Sequence, residues 1–124
     1  MQLGESLEDY LESILVLSKC LDRVRSVDVA SYLGFSKPSV SHAVKLLAQQ
    51  GHIHLDDNKF LTLTETGKKI AEETYRRHCF FTEMLENIGV PKDIAQEDAC
   101  HIEHVISQET FDAIQKYYEE KEAQ

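Results

Sequence analysis

Apolar residues recur at helical spacing from Leu7 through Tyr10, Leu11, Ile14 and Leu15 to Ser18, which predicts an amphipathic first helix reaching about Cys20 with its acids on the polar face. A second helical segment opens at Ser26, an N-cap residue type, runs through Val27, Val29, Ala30 and Leu33, and stops at Gly34. A third starts after Ser36. Pro38 falls in its first turn, where a missing N–H costs little, and Val40, Ala43, Val44 and Leu47 supply the buried stripe as far as Gly51. The period then changes to two. HIHLD and KFLTL, joined by the tight-turn pair Asp57-Asn58, predict a β-hairpin over residues 52–63. Thr64-x-x-Gly67 opens a long helix through Ile70, Ala71, Tyr75, His78, Phe81 and Leu85 to Gly89. Pro91 begins another that carries Ile94, Ala95, Ala99, Ile102, Val105 and Ile106. Ser107, with Thr110, Phe111, Ile114, Tyr117 and Tyr118, predicts a short final helix.

The order helix, helix–turn–helix, hairpin, long helix is that of a winged helix-turn-helix, here residues 1–70, followed by an all-helical part, residues 71–124. The fold class is mainly α, with one small β-hairpin as the wing. Ala30, Gly34 and Val40 have the spacing a helix-turn-helix needs: a small residue lets the helices approach, a glycine takes the left-handed turn, and a β-branched residue fills between them. An ordinary αα-hairpin also wants a glycine there, and that reading stays open.

Composition narrows the function. A chain of 124 residues, 42% hydrophobic with 5 Gly and 2 Pro, is globular and too short for a large catalytic α/β fold. No apolar run reaches the roughly 18 residues that span a bilayer, the start MQLGESLEDY lacks a secretory signal, and three scattered cysteines make no disulfide framework. The expectation is a cytoplasmic protein with no membrane partner. The net charge of −9 is unevenly spread: residues 1–18 carry four acids and no Lys or Arg, residues 19–77 ten bases against seven acids, and residues 78–124 three bases against eleven acids. A basic middle between acidic ends fits an anion-binding module joined to something that repels anions.

The second helix of a helix-turn-helix enters the major groove with its N-terminal part, which here offers Ser36, Lys37, Pro38, Ser39, Ser41, His42 and Lys45 to DNA. Hydroxyls and first-turn N–H groups can hold phosphates, Pro38 can meet a thymine methyl, and His42 can reach a base edge. Taken singly, Ser36 is also a simple N-cap and the lysines a solvated face. This helix contains no Arg, so specificity must lean on DNA shape or water-mediated contacts. Lys59, at the wing tip, adds a candidate phosphate contact.

Cys100, Glu103 and His104 share one helix face, with Ala99, Ile102 and Ile106 pointing the other way, so a thiolate, a carboxylate and an imidazole can serve one divalent ion. Asp9 and Glu12 stand at i, i+3 on the first helix, but Glu5 and Glu8 lie on the same side, and spacing alone also allows a solvated acidic face. His78 lies on the apolar face of its helix, where a core histidine is the commoner reading. Cys79, off that face, and Cys20, at a helix end, read as structural or incidental, and His52, His54 and His101 have no partner by spacing. His52 and His54 are expected to face solvent, or DNA if the wing touches it.

ACHIEHVIS, with EDYLESIL near the start and RRHCFF in the long helix, resembles the metal-dependent repressors of the diphtheria-toxin-repressor and manganese-transport-regulator family, over about Leu7 to Tyr118. The resemblance implies a winged-helix domain, a helical dimerisation domain, and Mn(II) or Fe(II), one or two ions per chain, bound where the domains meet. It implies the short form without a third SH3-like domain. Asp9, Glu12, His78, Cys100, Glu103 and His104 fall on the family's ligand positions. The set is a hybrid: Asp9 matches the manganese type, whereas a cysteine at position 100 matches the iron type. Thr82 and Gln96 stand where the iron type's ancillary site has an acid and a histidine.

The implied function is a metal-responsive repressor of metal-uptake genes, binding a palindromic double-stranded operator as a homodimer. Phe80, Phe81, Met84, Phe111 and Tyr117 supply apolar surplus for dimerisation. One alternative is a metal-independent winged-helix regulator whose acidic half meets a protein partner. An enzyme or metal store is another, against which stand the lack of a Gly-rich phosphate loop and of a nucleophile–base motif.

Overall fold

The computed structural model describes residues 5–122, which fall into two compact units, up to Thr74 and from Tyr75. In the first unit, α1 (Glu5–Cys20) buries Tyr10, Leu11, Ile14 and Leu15. The side chain of Glu5 lies outside the described residues. α2 (Ser26–Leu33) buries Val29 and Ala30, while Val27 is 52% exposed, off the stripe on which the sequence placed it. Ser26 is not the N-cap. That position is Arg25, whose backbone N–H donates to Asp28 Oδ2 at 2.9 Å, so the closure comes from an acid in the first turn. Gly34 ends the helix at φ 72°, its N–H on the Ala30 carbonyl at 2.9 Å.

α3 (Lys37–Gln49) follows a short turn, with Ser36 as N-cap accepting from the Ser39 N–H at 3.3 Å, and it buries Val40, Ala43, Val44 and Leu47. β1 (Ile53–Leu55) and β2 (Leu61–Leu63) pair antiparallel, Ile53 opposite Leu63 and Leu55 opposite Leu61. Val24 bridges to Leu61 from the connector before α2. The hairpin is not closed by a two-residue Asp57-Asn58 turn. Asp56 closes a longer loop: its Oδ1 accepts the N–H groups of Asn58 and Phe60, both at 2.9 Å, and Lys59 takes the left-handed backbone at φ 65°.

α4 (Glu65–Asn87) spans the division between the units. At its start Thr64 Oγ1 accepts from the Gly67 N–H, and a Cβ at Gly67 would overlap the His52 carbonyl, so only glycine fits. His52 is half-buried with Nδ1 3.3 Å from Thr66 Oγ1, rather than facing solvent; His54 is exposed.

The second unit consists of the rest of α4, α5 (Lys92–Val105) and α6 (Gln108–Glu122). Phe81, Ala99 and Phe111 form its core, with Phe80, Met84, Ile102, Ile106 and Ile114 against it. α6 runs 15 residues, longer than the short helix expected, opened by Ser107 Oγ accepting from the Thr110 N–H at 3.1 Å. Of the apolar surplus assigned to dimerisation, Phe81 and Phe111 are interior, Phe80 and Met84 half-buried, and Tyr117 exposed: the core of one unit absorbs the first two. No helix among the described residues is long and apolar enough to cross a membrane.

Candidate metal centre

The last turns of α5 carry the chemistry. Ala95 and Ala99 are fully buried on one face, and Glu103 and His104 are buried as well, at 2% and 7% exposure. The helix thus lacks the simple apolar-in, polar-out division its sequence suggests, because burial continues around to the face of Glu103 and His104. Cys100 is half-buried, and one ligand atom from each of Cys100, Glu103 and His104 lies within 4.8 Å of the others. From α4, half-buried His78 brings Nδ1 to 3.0 Å from Glu103 Oε2. The expectation of a core histidine yields to one that faces a buried carboxylate.

Glu103 is the centre of this group. His104 Nε2 stands 3.2 Å from Glu103 Oε1 but off the hydrogen-bonding direction, so Oε1 is buried without a hydrogen bond. Burial pushes the Glu103 carboxyl upward in pKa. The imidazoles of His104 and His78 outweigh it and hold the group below its ordinary value. A buried carboxylate oxygen lacking a donor is costly by itself, and beside an imidazole nitrogen and a thiol it has the form of a cation-ligating set. The donors fit a divalent transition metal: carboxylate oxygen suits Mn(II), imidazole suits either kind, and the Cys100 sulfur favours Fe(II), Co(II) or Zn(II).

One residue behind this cluster is absent from the sequence reading. Arg77, buried at 7% exposure, donates to the carbonyls of Glu103 and Ile106, both at 3.1 Å, and to Gln108 Oε1 at 2.7 Å. Its guanidinium also lies 5.2 Å from the centre of the Phe111 ring. It therefore ties the end of α5 to the start of α6. The signal was available: Arg77 stands three residues after Thr74 and four before Phe81, on the buried stripe of α4, where a charge must be paired.

Asp9 and Glu12 are half-buried on α1 in the first unit, as is Glu8, so these acids are not a freely solvated face. Cys20, Cys79 and His101 are exposed. In α3 and the preceding cap, Ser36, Lys37, Pro38, Ser39, Ser41, His42 and Lys45 are all exposed, as is Lys59 on the wing. The face opposite the helix-turn-helix core thus presents the hydroxyls and cations that DNA contact requires.

Residues 2–61 match the family described as "Iron dependent repressor, N-terminal DNA binding domain", and residues 64–123 match "Iron dependent repressor, metal binding and dimerisation domain". The transcriptional regulator MntR of Escherichia coli O157:H7 is 37% identical over 113 residues, 91% of this chain and 73% of that protein. The chain belongs to this metal-dependent repressor family. The HTH-type regulator MntR of Bacillus subtilis (strain 168) is 32% identical over 121 residues, covering 95% of this chain and 85% of its own. Among solved structures, the manganese regulator SloR superposes with a TM-score of 0.82 at 28% identity, over 96% of this chain and 55% of that one. A manganese-dependent transcriptional repressor in complex with manganese gives 0.80 at 28% identity, over 90% and 51%. The chain spans about half the length of these two. Members of the family are transcriptional regulators with a divalent metal cofactor, a duplex DNA target and a dimerisation domain, and the metal-independent alternative is not favoured.

Proposed function

We propose that this chain is a cytoplasmic, metal-responsive repressor of metal-uptake genes, without enzymatic activity, that binds a palindromic operator as a homodimer when a divalent metal is held at Glu103. The observation that carries the metal assignment is the buried Glu103 Oε1 without a hydrogen bond, beside His104 and Cys100. His78, Cys100, Glu103 and His104 are the ligands assigned in the second unit; Asp9 and Glu12 are assigned to the same metal-binding function on the resemblance of EDYLESIL. A divalent ion supplies positive charge against these carboxylates and the thiolate. Cys100 would hold such an ion as a thiolate, Glu103 as a carboxylate, and His78 and His104 as neutral imidazoles, so protons would compete with metal. With the acidic charge offset, the exposed groups of α3 and Lys59 meet phosphate at lower electrostatic cost, and a dimer presents two such helices to successive major grooves. The winged-helix portion is assigned to residues 1–70 and the metal-binding and dimerisation portion to 71–124.

The test is fluorescence anisotropy of a palindromic duplex with metal-stripped protein, adding Mn(II), anaerobic Fe(II), Co(II) or Zn(II) in turn. Binding only with metal, and its loss in Glu103→Ala or His104→Ala proteins that retain their helical circular dichroism, is expected. Equal binding by wild-type protein with and without metal would sink the proposal.

A further inference from the structure

Two arginines outside α3 share one aromatic ring. Arg23 and Arg25, in the connector between α1 and α2, place their guanidinium carbons 4.9 and 4.5 Å from the centre of the Phe60 ring. Phe60 is the residue at which the wing loop re-enters the sheet, where its N–H is held by Asp56 Oδ1 at 2.9 Å. The connector is locked to the wing beside it, since the Leu61 N–H donates to the Val24 carbonyl at 2.7 Å. Both arginines are exposed, and neither makes an ion pair among the described residues. Asp22 and Asp56 line the shallow cavity that Arg23 and Phe60 share, yet Asp56 is committed to the loop N–H groups.

A single ring holding two like charges, without carboxylate partners, is an unneutralised cationic pair whose orientation is set in advance. Guanidinium planes stacked on an aromatic lose less freedom on meeting an anion than free lysines do, and their donor forks match phosphate oxygens. The same wing carries Lys59, also exposed and without an ion pair among the described residues, so three cations stand at one end of a unit whose partner is DNA.

We propose that Arg23 and Arg25, oriented by Phe60, form a second DNA contact beside the wing that grips the phosphate backbone without reading sequence. This inference rests on the DNA-binding reading above and deepens it: α3 supplies groove contacts without an arginine, and the connector supplies the guanidinium contacts to the backbone.

The experiment measures the salt dependence of binding by the full-length, metal-loaded protein to two duplexes of equal length. One is a palindrome selected by the wild-type protein from a random library, and the other is its scrambled counterpart. Removing one cation from a phosphate reduces the slope of log K against log salt by about 0.9, so R23Q/R25Q, which takes two cations from each chain of a dimer, should lower it by about 3.6 on both duplexes. At 0.1 M salt the same relation weakens binding by about eightfold for each cation removed. R23K/R25K should keep the slope and lose affinity, since an ammonium keeps the charge without the stacked fork. Phe60→Leu, with folding checked by thermal melting, should bind more weakly at unchanged charge. An unchanged slope in R23Q/R25Q, or a weakening confined to the palindrome, overturns the backbone contact. Equal binding by R23K/R25K and wild type overturns the role of the ring. A metal-loaded wild-type protein that enriches no duplex from the library overturns the DNA-binding reading instead.

Discussion

Replacing Arg77 by Met tests whether the proposed metal ligands are held in place by a residue that is not one of them. Met keeps an unbranched apolar stem against Phe111 but removes the guanidinium that donates to the carbonyls of Glu103 and Ile106 and to Gln108 Oε1. Glu103 lies in the last turn of α5, where carbonyls have no partner within the helix, and a cation there also opposes the negative end of the helix dipole. Hydrogen bonds from a charged group are each worth about 1.5–3 kcal/mol, and water recovers part of the loss at the partly exposed end. A net destabilisation of about 2–4 kcal/mol is expected, read as a lower urea midpoint at unchanged m-value in metal-free protein. Because Glu103 and His104 sit on the turn that Arg77 anchors, metal affinity should also fall by about 10- to 100-fold, the range found when groups that orient ligands are removed. Isothermal titration with Co(II) or Mn(II), at a temperature where the variant is fully folded, reads this directly. A loss of unfolding free energy below about 0.5 kcal/mol would refute the energetic reasoning. Unchanged metal affinity in a destabilised variant would reduce Arg77 to a tie between helices.

Cys100→Asp replaces the one soft donor by a hard one, so the ratio of Mn(II) to Co(II) affinity should rise at least tenfold in competition titrations, and an unchanged ratio would remove Cys100 from the ligand set. Gly67→Ala forces a methyl into the His52 carbonyl at the start of α4 and should cost more than about 3 kcal/mol in urea unfolding, with wild-type stability as the contrary result. The pKa of Glu103 is lowered in the folded protein, so its ionised form contributes stability that is present above the unfolded carboxylate value and lost as pH falls through the folded one. Urea midpoints of metal-free wild type and Glu103→Gln should therefore converge on the acid side of that range and separate above it; parallel curves would show that the carboxylate is not stabilised by His104 and His78.

Much of the fold was legible from local rules. The stripe in α1, the serine before α3 with Pro38 behind it, the left-handed Gly34 and the change of period at the wing each depend on a few neighbouring residues, and each stands as read. The juxtaposition of Cys100, Glu103 and His104 on α5 was legible for the same reason, since spacing on one helix brings the three together without help from the rest of the chain. Contacts between distant segments were not. The wing loop is closed by the Asp56 side chain, not by Asp57-Asn58, because hydrogen bonding to later N–H groups competes with the turn preference of the pair. The α2 cap passed from Ser26 to Arg25 when Asp28 supplied the acceptor. Arg23 and Arg25 on Phe60, and Arg77 beneath Glu103, take partners from distant segments, and even for Arg77, whose place on a buried stripe calls for pairing, the local pattern does not name the partner. A helix period places side chains along one element, whereas a guanidinium is positioned by acceptors and rings that only folding brings within reach.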